Sequence, residues 1–107
     1  MFNKPLYNDF YTYSIEWKPN IINWYINDTL FFTATNENLK KINNNYNWIF
    51  NDRFFYLLVN TAVGGNFGGA FPNSINYIYK NLPNYNEMII KHIKIYKTID
   101  GYGEIKI

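Results

Sequence analysis

The stretch FYTYSIEW, residues 10–17, decides the fold because its side chains alternate in character with a period of two. Every second residue from position 11 is apolar or aromatic, namely Tyr11, Tyr13, Ile15 and Trp17. Such alternation is typical of a β-strand, whose successive side chains point to opposite faces. Segments of the same kind follow at 21–27 and 29–35, and Asn27-Asp28 between them fits a hairpin turn without the usual glycine. The sequence therefore predicts a three-stranded antiparallel meander.

The rest of the chain is less regular. Residues 36–53 are polar and rich in asparagine, with one short helical turn expected over 37–42. Residues 54–63 are apolar at both parities, which predicts a strand buried between two layers. A long connection follows at 64–87, and a last strand is predicted over 88–97. The remaining tail is expected to be peripheral, and no repeat or domain boundary is visible.

Composition excludes several classes of function. A length of 107 residues suits one small domain, and an aromatic share of 21% suits β-structure or platforms for stacking sugars or bases. A net charge of +2 and a single arginine predict no nucleic-acid partner. The absence of cysteine excludes disulfides and cysteine-ligated metals. No apolar run approaches the roughly 18 residues of a membrane span, and the opening MFNKPLYND lacks the apolar core of a signal peptide.

Four motifs, in order and at matching spacing, resemble the C-terminal half of glycoside hydrolase family 16, of the laminarinase or endo-β-1,3-glucanase type. They are DFYTYSIEW (9–17), INWYIND (22–28), WIFNDRFFYLLVNTAVGGNF (48–67) and MIIKHIKIY (88–96). The resemblance implies an all-β fold, an antiparallel β-sandwich of the jelly-roll, concanavalin A-like kind, with residues 1–107 forming a single partial domain. It also implies hydrolysis of β-1,3 or mixed β-1,3-1,4 glucan, a β-glucan polysaccharide as partner, and an extracellular location.

Hydrolysis with retention needs two carboxyl groups about 5–5.5 Å apart. The resemblance places both on one strand, in a motif ExDxxE or ExDxE. The chain has eight acids: Asp9, Glu16, Asp28, Glu37, Asp52, Glu87, Asp100 and Glu104. None of them forms this motif, and the most closely spaced pair, Asp100 and Glu104, lies in a glycine-flanked tail. We therefore expect the catalytic pair to be absent, with no catalytic residue in this chain, and its status as an enzyme stays open.

Substrate-binding positions follow from the resemblance. They are Asn60, Tyr13, Tyr11, Trp48, Gly64, Gly65 and Phe67. Asn60 matches the family's asparagine before AVGG, and its amide can both donate to and accept from sugar hydroxyls. The alternative is a buried asparagine satisfied by neighbouring backbone. Tyr13 matches a cleft tyrosine and Tyr11 replaces a histidine; both could instead pack across strands.

Other residues of this set also have structural interpretations. Trp48 precedes a predicted strand and could stack on sugar at the cleft rim or pack internally. Gly64-Gly65 could form a turn at the cleft edge or simply a turn, and Phe67 replaces a tryptophan of the family. Trp17 and Trp24 are expected in the core, because buried aromatics dominate core energetics.

No cofactor or metal is expected. Many family members hold a structural calcium ion with an aspartate from the closing strand, and Lys91 stands at that position. An ammonium group cannot ligate calcium, so the resemblance predicts that this site is lost. His92 is the single histidine and has no second ligand nearby in sequence.

Two functions remain open, beside that of an inert product. The chain could supply one wall of the cleft of a β-glucan hydrolase, or it could be a non-catalytic, lectin-like glucan-binding module. Half a sandwich would expose strand edges and apolar surface, which favours pairing with a complementary N-terminal half or self-association.

Overall fold

The computed structural model describes residues 6–62, 87–99 and 101–106. Its elements are a 3-10 helix at Leu6–Asn8, β1 at Tyr13–Lys18, β2 at Ile21–Ile26, β3 at Thr29–Thr35 and α1 at Asn36–Ile42. The strands form one antiparallel sheet in the order β1-β2-β3. The predicted meander is therefore confirmed. The chain divides into two compact units, one of Met1–Phe54 with Lys97–Ile107 and one of Phe55–Tyr96, and each is described by itself.

The turn between β2 and β3 explains how the hairpin closes without glycine. Asn27 and Asp28 have φ angles of 47° and 65°, and positive φ at both central residues is what a type I′ turn requires. Asn27 also ties the turn to the chain before β1. Its Oδ1 accepts from the Thr12 backbone N–H at 2.9 Å, and its own N–H donates to the Thr12 carbonyl at 2.9 Å. The asparagine side chain thus adds a contact that glycine could not make.

The centre of the sheet holds the buried residues of the described structure. Ile22 and Ile26 of β2 are only 6% and 9% exposed, because each lies between neighbouring strands on the apolar face. Trp24 lies between them and is half-buried, with its ring centroid 5.2 Å from that of Phe32. Trp17, on the edge strand β1, is 40% exposed. The expectation of a core position for Trp17 is wrong, because an edge strand has a neighbour on one side only.

Helix α1 confirms and extends the predicted helical turn. Thr35 caps its N-terminus, where the side-chain oxygen accepts from the Asn38 backbone N–H at 3.0 Å. Glu37 lies in the first turn and pairs with Lys41 in the last turn at 3.6 Å. Both charges have the sign that stabilises their end of the helix dipole. In the described part of the chain, no helix has the length and apolar character needed to cross a membrane.

Two predicted strands are not formed. Residues 54–62 and 88–97 carry no strand in the structure, and all of them are exposed. The apolar pattern of 54–63 indicated a strand buried between layers, and this prediction is wrong for the described residues. A strand exists through backbone hydrogen bonds to a neighbouring strand, which an apolar pattern does not supply.

Candidate functional site

Tyr13 is the most exposed member of an apolar strip along β1. It begins the strand, is 63% exposed and lies opposite Ile26. Ile15 and Trp17 follow on the same face and are 60% and 40% exposed. Tyr11 precedes the strand and is half-buried. The first unit therefore presents a row of apolar side chains to solvent, with an aromatic ring at each end.

Trp48 lies after helix α1 and is half-buried. Its indole Nε1–H donates to Asn51 Oδ1 at 2.9 Å. Its ring meets the Phe50 ring edge-on, with the centroids 5.2 Å apart and an interplanar angle of 73°. The hydrogen bond and the ring contact together fix the orientation of the indole.

A pair of asparagines holds this segment to the turn between β1 and β2, and we call it the Asn20–Asn51 clamp. Asn51 Oδ1 accepts from the Asn20 backbone N–H at 3.0 Å, and Asn51 Nδ2 donates to Asn20 Oδ1 at 2.8 Å. The Tyr102 hydroxyl donates to the Asn51 carbonyl at 2.7 Å. Trp17 Nε1–H donates to the Phe50 carbonyl at 2.9 Å. The tail is thus attached to the first unit rather than peripheral.

No sequence pattern predicts this clamp. Asn20 and Asn51 are 31 residues apart, and Tyr102 is 51 residues from Asn51. Asparagine is so frequent in the chain that neither Asn20 nor Asn51 stands out. Asn20 has a φ of 65°, a left-handed conformation that asparagine tolerates better than most residues. Its place after Pro19 could have marked it as a turn residue, but the identity of its partner could not have been foreseen.

The opposite face of the sheet carries a polar row across all three strands. Asn23 Nδ2 donates to Glu16 Oε1 at 3.1 Å, and the Thr33 hydroxyl donates to Asn23 Oδ1 at 2.7 Å. Lys18 lies 3.5 Å from the Glu16 carboxylate. The hydrogen bond from Asn23, aided by Lys18 and Tyr25 and partly opposed by desolvation, lowers the pKa of Glu16. Glu16 is therefore a hydrogen-bonded anion on the face opposite Tyr13, which suits a structural role.

Asn60 lies in the second unit and is exposed. The interpretation of Asn60 as a buried, backbone-satisfied amide is therefore wrong. Among the described residues its side chain has no hydrogen-bond partner, which leaves the amide open to solvent. Gly64, Gly65 and Phe67 lie outside the described residues.

The described ranges contain no group of three or more His, Asp or Glu side chains that could hold a metal ion. His92 and Lys91 are both exposed. The expected loss of the calcium site stays a prediction.

Similarity to known proteins agrees with the motifs. Residues 2–52 match the family model of glycosyl hydrolases family 16. A beta-glucanase of Rhodothermus marinus is 30% identical over 99 residues, covering 86% of this chain and 30% of that protein. Glucan endo-1,3-beta-glucosidase A1 of Niallia circulans is 37% identical over 92 residues, covering 84% of this chain and 12% of that protein.

The chain thus spans less than a third of the length of either relative. No solved structure gave a significant match. The antiparallel sheet is compatible with the family's β-sandwich, and the family model and both relatives point to the same enzymes. The matched family model and both relatives support the assignment of this chain to glycosyl hydrolases family 16.

Proposed function

We propose that this chain binds β-glucan as one wall of the cleft of a family 16 β-glucanase, and that it does not hydrolyse glucan by itself. The names of the two relatives support the substrate class, and the similarity extends over 86% and 84% of this chain. Binding and hydrolysis are separate parts of the proposal, because the ExDxxE or ExDxE motif of the family is not found in the sequence.

The fold in this proposal is the jelly-roll sandwich of the family. The three-stranded sheet is one piece of it. The apolar segments 55–62 and 88–97 would become strands of the sandwich when they find backbone partners, in a complementary half or in a second copy of the chain. Their exposed apolar side chains support this part of the proposal.

Exposure of Tyr13 is the observation that carries the binding proposal. An aromatic ring that is 63% exposed on an ordered strand can stack on the apolar face of a sugar, and its hydroxyl can still hydrogen-bond. The ring belongs to a strand that is paired along its whole length with β2, so little conformational entropy is lost when a ligand binds. Tyr11 and Trp48 are proposed as further aromatic contacts in the first unit.

Asn60 is proposed as a hydrogen-bonding contact in the second unit. Its amide supplies two donors and an acceptor, which match the alternating donors and acceptors of sugar hydroxyls. Gly64, Gly65 and Phe67 remain proposed on the motif alone.

Affinity electrophoresis of the 107-residue chain in laminarin and in mixed-linkage glucan tests the binding proposal. We expect retardation by at least one glucan, weakened about threefold to tenfold in Tyr13→Ala, since an aromatic contact is worth about 0.5–1.5 kcal/mol. Tyr46→Ala is the matched control, because Tyr46 is also an exposed tyrosine, 48% exposed, but lies after α1. Asn60→Ala tests the amide, with Asn47→Ala as its control. Equal effects of Tyr13→Ala and Tyr46→Ala would contradict the role of Tyr13.

A reducing-end assay with the same glucans tests the second part of the proposal. We expect no turnover by the isolated chain. Turnover that disappears on replacement of a single acid would show that the chain carries its own catalytic group. Binding without turnover, lost in Asn60→Ala, would favour the alternative of a lectin-like module if no complementary half restores activity.

A further inference from the structure

One atom of the Asn20–Asn51 clamp also contacts Trp48, which is proposed to bind glucan. Asn51 Oδ1 accepts two hydrogen bonds, from the Asn20 backbone N–H at 3.0 Å and from Trp48 Nε1–H at 2.9 Å. The indole has only this one N–H donor. The orientation of the Trp48 ring therefore depends on the position of Asn51 Oδ1.

Further hydrogen bonds hold Asn51 and its partner Asn20 in place. Asn51 Nδ2 donates to Asn20 Oδ1 at 2.8 Å, which excludes the flipped orientation of the amide. The Tyr102 hydroxyl holds the Asn51 backbone at 2.7 Å. Asn20 in turn accepts, through its carbonyl, the Asn36 N–H at the start of α1 at 3.0 Å. Asn51 is thus hydrogen-bonded to the turn of the sheet and to the tail, and that turn is hydrogen-bonded to the start of α1.

We propose that Asn51 is a positioning residue for glucan binding, which orients the Trp48 ring without touching the polysaccharide. This inference rests on the proposed function of Trp48. An aromatic ring that is held in one orientation loses less freedom when a sugar stacks on it, so the same contact gives a higher affinity. The clamp holds the Trp48 ring in one orientation through the hydrogen bond from the indole N–H to Asn51 Oδ1.

Three variants separate positioning from general stability. Asn51→Ala removes the acceptor of Trp48 and both contacts with Asn20. Asn51→Asp keeps an oxygen for Trp48 but loses the donor that faces Asn20 Oδ1. Asn20→Gly weakens the clamp, keeps the backbone N–H and tolerates the positive φ, while Asn51 Oδ1 stays available to Trp48. Asn47→Ala replaces an exposed asparagine next to Trp48 and is the matched control.

Solvent exchange of the indole N–H, measured by NMR, reports the orientation directly. The chain has three tryptophans and therefore three indole signals. We expect the Trp48 signal to exchange at least about fivefold faster in Asn51→Ala, as loss of one neutral hydrogen bond implies, and to keep its protection in Asn51→Asp and Asn20→Gly. Unchanged exchange in Asn51→Ala would overturn the positioning role.

Glucan affinity of the same variants tests the functional consequence. We expect about fivefold weaker binding in Asn51→Ala and nearly full binding in Asn51→Asp and Asn20→Gly. In a Trp48→Phe background, which has no indole N–H, Asn51→Ala should cause no further loss. An equal loss in both backgrounds would show a merely structural role and overturn the inference. If the wild-type chain binds neither glucan, the proposed function fails and the glucan-binding role of Asn51 fails with it, while indole exchange still decides whether Asn51 orients Trp48.

Discussion

The two residues of the β2–β3 turn offer a matched pair of substitutions with different expected outcomes. Both have positive φ, 47° at Asn27 and 65° at Asp28. Replacing such a residue by glycine removes about 1 kcal/mol of backbone strain from the folded state. The greater conformational freedom of glycine in the unfolded chain lowers the free energy of unfolding by about 0.5 kcal/mol. Asp28→Gly should therefore stabilise the protein by about 0.5 kcal/mol, which corresponds to a rise in Tm of about 2–4 °C.

Asn27→Gly relieves the same kind of backbone strain but also removes a hydrogen bond. The Asn27 Oδ1 contact with the Thr12 N–H, at 2.9 Å, contributes about 1 kcal/mol. The net result should be a loss of about 0.5 kcal/mol, so the two variants should differ by about 1 kcal/mol. Urea unfolding followed by circular dichroism measures both. Equal stability of the two variants, or a more stable Asn27→Gly, would refute the role given to this side chain.

Two further predictions concern the polar row and the helix. Because the pKa of Glu16 is lowered in the folded state, its carboxylate stabilises the fold above its ordinary pKa, and this contribution is lost as the pH falls through the lowered pKa. The difference in urea midpoint between wild type and Glu16→Gln at pH 7 should therefore shrink as the pH falls below the ordinary pKa of the glutamate carboxyl; a difference that grows in acid would contradict the sign. Thr35→Ala removes the N-cap contact with the Asn38 N–H and should cost about 1 kcal/mol in the same unfolding assay, whereas Thr35→Ser should cost much less. An equal loss in both variants would argue against capping.

The candidate site was only partly predictable from the sequence. The position of Tyr13 on an alternating strand followed from the residues, and its exposure fits the binding proposal. The alternating pattern predicts a core position for Trp17, because the pattern identifies the face of a side chain but not whether its strand lies at the edge of the sheet. The apolar neighbours of Asn60 predict a strand there, yet Asn60 lies exposed in a segment that forms no strand.

The sequence by itself determined the three strands, the turn at Asn27-Asp28 and helix α1. These elements depend on side-chain alternation, turn residues and caps, which act between residues close together in the chain. Only the tertiary structure decided the Asn20–Asn51 clamp, the tie from Tyr102 and the exposure of residues 54–62. Those features depend on which backbone or side-chain groups meet between residues that are 31 or 51 positions apart, and a single asparagine among many does not reveal its partner.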